Sequence, residues 1–235
     1  MKKKMYVLGV AALLTALLAL SGVAQSAMWV GAEIGGNFND AKLNASLGNL
    51  SGSTNVFIRP SVIGGATIGY DFVNAGFGAY AYPDWMKYFS FAMDFTYNKL
   101  EVHQNAGVLS PNSRLNGWEA AWTFLFMAHY GFMPDSEVPS GRINPYIGVG
   151  PAIVWSGAEF TVPTNNNSFT SRFGTTAMNV ALVVEPGIRW MCFKNVSVDT
   201  AFRYRYAAPS WSDGPATLKL TLNQFAFLLR ANYHF

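Results

Sequence analysis

Seven charged residues stand at alternate positions in stretches that are otherwise apolar or built of small residues: Asp94, Glu119, Glu185, Arg189, Asp199, Arg203 and Arg230. A carboxylate or guanidinium in such a setting is costly unless it meets an opposite charge or water. These types therefore offer two kinds of chemistry: an ion-paired plug, or a charge-lined narrow conduit or gate. Glu185 and Arg189 are four residues apart, and so are Asp199 and Arg203. Four residues of extended chain span about 13 Å, so pairing along one strand is excluded. A hairpin symmetric about position 193 sets 189 against 197 and 185 against 201. Diagonal reach then joins Arg189 to Asp199 and Glu185 to Arg203.

Other reactive types are sparse. The histidines are His103, His129 and His234. His103 lies near Glu101 and Ser110, and a Ser/His/Glu site acting on lipid is conceivable there, although such a triad is defined by geometry rather than spacing. His129 is expected in the lumen as a hydrogen-bonded packing residue, and His234 in the last strand. No His/Cys/Asp grouping has metal-ligand spacing, and no glycine loop cradles phosphate. No catalytic residue, cofactor or metal is expected, and the protein is read as a non-enzyme. The single cysteine, Cys192, cannot form an intrachain disulfide.

The charges need elements that hold them in register. Lys2, Lys3 and Lys4, an apolar run from Met5 to Leu20 and small residues to Ala27 have the layout of a secretory signal peptide. Cleavage after Ala24 is expected, with Ser26 and Ala27 as alternative sites, leaving residues 25–235 as one domain. The net charge of +3 resides in the three lysines; beyond them 13 basic residues face 13 acidic ones. A neutral chain without a basic stripe gives no footprint for nucleic acid. Charged residues are 12% and aromatic residues 15%, yet no segment after the leader reaches the about 18 apolar residues of a spanning helix. A membrane-rich composition without membrane helices leaves the closed barrel, since only helices and closed barrels satisfy every backbone polar group in lipid.

Period-two alternation agrees. Met178, Val180, Leu182, Val184, Pro186, Ile188 and Trp190 share one face; Ala177, Asn179, Ala181, Val183, Glu185, Gly187 and Arg189 share the other. Similar strands cover 89–98, 118–130, 144–155 and 196–206, with weaker ones at Trp29–Phe38 and Arg59–Phe72. Gln224–Phe235 is the last strand, with Phe225, Phe227, Leu229, Tyr233 and Phe235 outward. Leu218, Leu220 and Leu222 have the opposite parity, which predicts a bulge near Asn223. Segments 39–56, 101–116, 157–174 and 207–216 are rich in Asn, Ser, Gly and Thr and are read as extracellular loops. Segments 133–142 and 191–195 are read as periplasmic turns, and 73–87 as a short helix or an interfacial aromatic patch. The fold class is thus all-β: a closed antiparallel transmembrane β-barrel of about eight strands, with long outer loops and short periplasmic turns. Trp29, Phe72, Tyr130, Trp190, Tyr233 and Phe235 are assigned to the periplasmic aromatic girdle. Phe57, Tyr97, Trp118, Trp155, Tyr204 and Tyr206 are assigned to the outer one. A soluble barrel would have its charges outside; here they share faces with Gly, Ala, Ser and Asn, which fits a lumen.

Three stretches carry a family resemblance: Pro145-Tyr146-Ile147-Gly148-Val149-Gly150-Pro151; Glu185–Trp190 through Asn195, Asp199 and Arg203-Tyr204-Arg205-Tyr206; and Ala231-Asn232-Tyr233-His234-Phe235. The chain resembles the outer-membrane β-barrel domain family, the small OmpA-like and opacity-type barrels. The family usually has an acidic residue where Arg203 stands. The resemblance implies residence in the cell outer membrane and a C-terminal assembly signal, Tyr233 with Phe235, read by the outer-membrane assembly machinery. Expected partners are outer-membrane lipids, lipopolysaccharide and a possible loop-mediated surface ligand. The expected role is structural or surface-interacting. The alternatives are a narrow small-solute channel, for instance for an apolar compound leaving sideways into the membrane, and a lipid-modifying enzyme.

Overall fold

The computed structural model describes residues 28–47, 50–72, 82–103, 114–163, 168–172, 176–213 and 216–235. Residues 1–27, which hold the expected leader and cleavage site, and Ser110 lie outside them. Eight long strands form the wall: β1 (Met28–Leu47), β2 (Leu50–Asp71), β3 (Phe89–His103), β4 (Arg114–His129), β5 (Ile143–Pro163), β7 (Ala177–Phe193), β8 (Val196–Ala207) and β10 (Ala216–His234). Two short strands, β6 (Ser168–Arg172) and β9 (Ser210–Asp213), pair with the outer ends of β5 and β10. All pairings are antiparallel, and β1 pairs with β10, so the sheet closes.

One circuit of pairs gives both the closure and the membrane face. It runs Phe38, Phe225, Tyr204, Val184, Val149, Phe126, Phe91, Tyr70 and back to β1 at Met28. Residue 38 has become residue 28, a stagger of ten, which is the fixed shear that a tilted closed barrel requires. Every residue on the circuit is apolar or aromatic, and large apolar side chains such as Phe227, Val180 and Ile147 stand exposed on the same outer face. In water such a band would be untenable; in lipid it is the membrane-spanning surface.

Four expectations change. The described parts of the segments read as extracellular loops are largely strand: β1 continues to Leu47, β2 starts at Leu50, and β5 reaches Pro163, while 104–113, 164–167, 173–175 and 214–215 lie outside the described residues. Their Asn, Ser and Gly content reports contact with water on an extended strand rather than the absence of one. The bulge near Asn223 is absent, because β1 and β10 stay in step through Asp40–Asn223, Ala41–Leu222 and Leu43–Leu220. Leu220 and Leu222 are buried inward; the lumen changes chemistry while the phase is kept. The irregular pairings lie instead between Asn37 and Asn39, between Ile58 and Ile63, and between Met191 and Phe193. Trp29 is not in the girdle: it is fully buried inside. Finally, Arg189 lies directly opposite Asp199 rather than diagonal to it, since the hairpin bulge shifts the register.

The periplasmic end carries the short connections. Asp84–Tyr88 is a 3-10 helix, and Tyr88 stacks on Tyr130 with ring centroids 5.7 Å apart. The rest of the segment read as helix or aromatic patch, 73–81, lies outside the described residues. In the turn before β5, Asp135 accepts from the backbone N–H groups of Val138 and Glu137 and pairs with Arg142. Gly141 there has φ of +99°, a conformation that side chains with a Cβ rarely adopt.

Candidate functional site

Inward positions carry the polar residues of the lower and middle barrel, and they fall into stacked tiers. The central tier is ionic. Arg203 donates both terminal nitrogens to Asp94, at 3.1 and 2.6 Å, and its Nε to Glu185 Oε2 at 2.6 Å. Arg230 donates to Glu33 Oε2 from Nε at 2.9 Å and from Nη2 at 2.7 Å, and it reaches Glu185 Oε1 at 3.2 Å. The Tyr146 hydroxyl donates to the same Oε1 at 3.1 Å. Glu185 therefore bridges two guanidiniums, and β1, β3, β5, β7, β8 and β10 are tied across the lumen. All five charged members are buried, none more than 5% exposed. Charge-assisted and forked bonds of this kind are the stronger class of hydrogen bond.

Toward the periplasm, Arg189 lies 3.5 Å from Asp199 and 3.4 Å from Asp71, with its guanidinium 4.6 Å above the Trp29 ring. Asp71 also accepts from Ser90 Oγ at 2.7 Å and from Trp29 Nε1 at 3.2 Å. That explains the inward tryptophan: its N–H has a half-buried carboxylate partner, and its face meets a cation. His234 Nε2 lies 3.0 Å from Ser197 Oγ, the one close Ser–His contact among the described residues. Ser197 donates to Asp199 at 3.3 Å and is fully buried. The carboxylate thus engages the serine rather than orienting the imidazole, so this is a packing arrangement rather than a triad. His129 belongs to the inward set of β4, partly buried; the side chain of His103 is not among those described. Among the described residues no group of His, Cys, Asp or Glu could hold a metal ion, and Cys192 is free and exposed.

Above the ionic tier sits a second polar cluster. Gln224 donates Nε2 to both oxygens of Glu119, at 3.0 and 3.1 Å; Arg205 pairs with Glu119 and donates to Gln224 Oε1 at 2.5 Å. Around it, Asn37 Nδ2, Asn98 Oδ1, Thr96 Oγ1 and Thr123 Oγ1 are buried without protein partners. Each would cost about 1–3 kcal/mol if left dry, so this tier is a place for bound water. Higher still the lining is apolar: Leu43, Val56, Ile58, Leu100, Leu220 and Leu222 are buried inward, with Trp211 donating its Nε1 to the Ser156 carbonyl at 3.1 Å. At this level polar residues join the outward face: Asp40, Lys42, Asn55 and Lys99 are exposed, beside the aromatic Phe57 and Trp118.

All seven charges singled out in the sequence line the lumen. Asp94, Glu185, Arg203 and Arg230 meet in the central tier, Arg189 and Asp199 lie below it, and Glu119 lies above in the separate cluster. Glu33, Asp71, Tyr146, Arg205 and Gln224 were not singled out. Glu33 has the same signal as the seven, a charge at an alternate position of a strand, but in the weakly patterned β1. Tyr233 projects outward and Phe235 packs edge-on against it at 5.4 Å. The Phe235 N–H donates to Met28 O at 3.0 Å, beside the strand seam.

No protein-family model matches the chain, and no curated protein matches it. Among solved structures, the outer membrane protein OprG from Pseudomonas aeruginosa superposes with a TM-score of 0.64 at 13% identity, over 92% of this chain and 98% of that one. Neisserial surface protein A gives 0.43 at 14% identity, over 88% and 97%. The outer membrane protein AlkL, solved in lipid bilayers, gives 0.41 at 18%, over 90% and 91%. The OprG superposition, the closed circuit of pairs and the apolar outer band agree: this chain folds as a small outer-membrane β-barrel.

Proposed function

We propose that the protein is a barrel without an open through-passage that acts at the extracellular surface, in a structural or surface-interaction role. The carrying observation is the ionic tier. Glu33, Asp94, Glu185, Arg203 and Arg230 cross the lumen and are each almost fully buried. An eight-stranded barrel is just wide enough for side chains to fill it, so an ion crossing this level must displace paired groups. The wall that continues beyond the lipid band supplies the acting surface. This role needs no enzymatic step. Planar-bilayer recording of purified protein tests it: no conductance above the bare bilayer is expected, and stable unitary currents from the unmodified protein would overturn it.

A second reading rests on the apolar inner lining of the outer half. Leu43, Val56, Ile58, Leu220 and Leu222 suit a small apolar solute entering from outside rather than an ion. The ionic floor would then turn it sideways. The β7–β8 ladder has Leu182–Tyr206 as its outermost pair, and β9 pairs with β10 alone, so the wall is least tied there. Saturable quenching by an apolar probe that is lost with Trp211→Phe supports this reading; quenching that persists unchanged in the variant counts against it.

A further inference from the structure

The ladders of the wall do not all reach the outer rim. β1 and β10 are paired to Leu47–Ala216, and β4 and β5 to Arg114–Thr161, but β7 and β8 stop at Leu182–Tyr206. Both strands run on beyond that pair. Residues 177–181 of β7 stay paired with 152–156 of β5, and β9 pairs with β10 in the register that β8 began. Carrying the Leu182–Tyr206 register upward sets Asn179 against Pro209 and Ala177 against Trp211, yet neither pair forms. The Pro209 carbonyl turns to β10, where it accepts the Leu220 N–H at 2.9 Å. Backbone groups alternate in direction along a strand, so Ala208 and Ser210 turn theirs toward β7, past the end of the ladder.

One side chain crosses this break. Trp211 points inward, is 1% exposed and donates its indole N–H to the Ser156 carbonyl at 3.1 Å. Ser156 lies on β5 and pairs with Ala177, so the indole reaches past β7 to the strand behind it. Among the described residues no other side-chain hydrogen bond ties 207–213 to β5 or β7. Beside it Asn179 faces inward, and both of its side-chain amide atoms are buried without a partner. We propose that Trp211 is a strap that holds the outer β7–β8 seam shut in place of the absent ladder, with Asn179 opposing it, so that the seam is poised to open as a unit. Closure keeps the Asn179 amide dry, which is unfavourable. Opening returns that amide to water and gives up the indole bond and the burial of the ring. The two terms oppose one another within one stretch of wall, and the Leu182–Tyr206 pair below is the hinge. The device belongs to the wall itself and holds whether or not any solute passes.

Distance measurement between spin labels tests this on the whole refolded protein in detergent micelles, with Cys192→Ser to remove the native thiol. Met178→Cys and Ser212→Cys place labels on either side of the seam, both at exposed outward positions. Lys42→Cys and Lys219→Cys place a control pair across the fully laddered β1–β10 seam. Trp211→Phe keeps an aromatic ring but lacks the N–H. It should raise the open-to-closed ratio at the first pair about tenfold, equivalent to about 1.4 kcal/mol and within the range of one hydrogen bond. The control pair should not move. Adding Asn179→Leu should bring the ratio back toward that of the parent. An unchanged distribution in Trp211→Phe would overturn the proposal, as would equal broadening at the control pair, which marks general loosening. So would a double variant as open as Trp211→Phe alone. If Trp211→Phe does not refold, exchange of the Trp211 indole N–H in the parent decides. Exchange independent of added urea marks local opening and supports the strap; exchange that appears only with global unfolding overturns it.

Discussion

The inner and outer halves of this barrel use one alternation with opposite chemistry. Within the lipid band the inward set is Glu33, Asp94, Glu185, Arg203 and Arg230, and the outward set is Ile34, Phe95, Ile188 and Leu229. Beyond the lipid, Leu43, Ile58, Leu220 and Leu222 point inward while Asp40, Lys42 and Lys99 point outward. Along the β1–β10 ladder the pairing stays in step between them, whereas β2 shifts its phase between Ile58 and Ile63. Medium, rather than strand geometry, decides which face is apolar: lipid outside permits a polar interior, and water outside demands an apolar one. The lower part is built as a membrane barrel and the upper part as a short soluble one.

The comparison breaks most visibly at the ionic tier. Arg203→Ala strands Asp94 and part of Glu185 in a buried site, and about 3–5 kcal/mol is expected to be lost in urea unfolding from lipid. Glu185→Ala combined with Arg203→Ala should cost much less than the two separate losses together. Additive, small effects would mean that water already fills the tier. Next comes the lipid face: Leu229→Arg, near the middle of the apolar band, should cost about 2–4 kcal/mol. On the same scale Lys42→Leu, beyond the band, should stay within about 0.5 kcal/mol. Similar values for the two would erase the boundary drawn here. In the outer half, Leu222→Ala should cost about 2–3 kcal/mol through cavity formation, as in a soluble core. No loss would mean that this lining is an open chamber.

The smallest effect is expected where the inner half leaves the membrane. The backbone N–H of Val138 and the bond from Arg142 hold the Asp135 carboxyl below the usual carboxylate range. A depressed folded value stabilises the turn above the unfolded pKa, and that contribution disappears as pH falls through the folded value. The Val138 amide should therefore stay protected from exchange through the ordinary carboxylate titration and open only at lower pH. Opening at the ordinary value would remove Asp135 as the organiser of that turn.

Much of the lower barrel was legible in the sequence because its two faces differ in kind. Ala177–Trp190 and the inward charges of β8 announce both strand and side. The upper barrel was not legible for the same physical reason that makes it distinctive. Leu220 and Leu222 break the rule that leucine faces lipid, so a change of medium looked like a change of phase. Residues 39–56 looked like loop because Asn, Ser and Gly mark contact with water whether or not the backbone is paired. Trp29 departs from its girdle assignment because an aromatic near a strand end suggests an interface, whereas Asp71 and Arg189 give it polar partners inside the barrel from strands distant in sequence. The Arg189–Asp199 register escaped because a bulge at 191–193 has no residue signature.

The seam between β1 and β10 has a consequence for biogenesis. The first and last strands of the barrel are zipped from Trp29–His234 to Leu47–Ala216. Until the final strand arrives, every intermediate carries two open edges whose amides cannot be left bare in hydrocarbon. A chain cut short before β10 is thus not a smaller barrel but an unfinished ring, adhesive at both ends. Arrival of β10 at β1 is therefore the step that turns an open sheet into a surface lipid can surround.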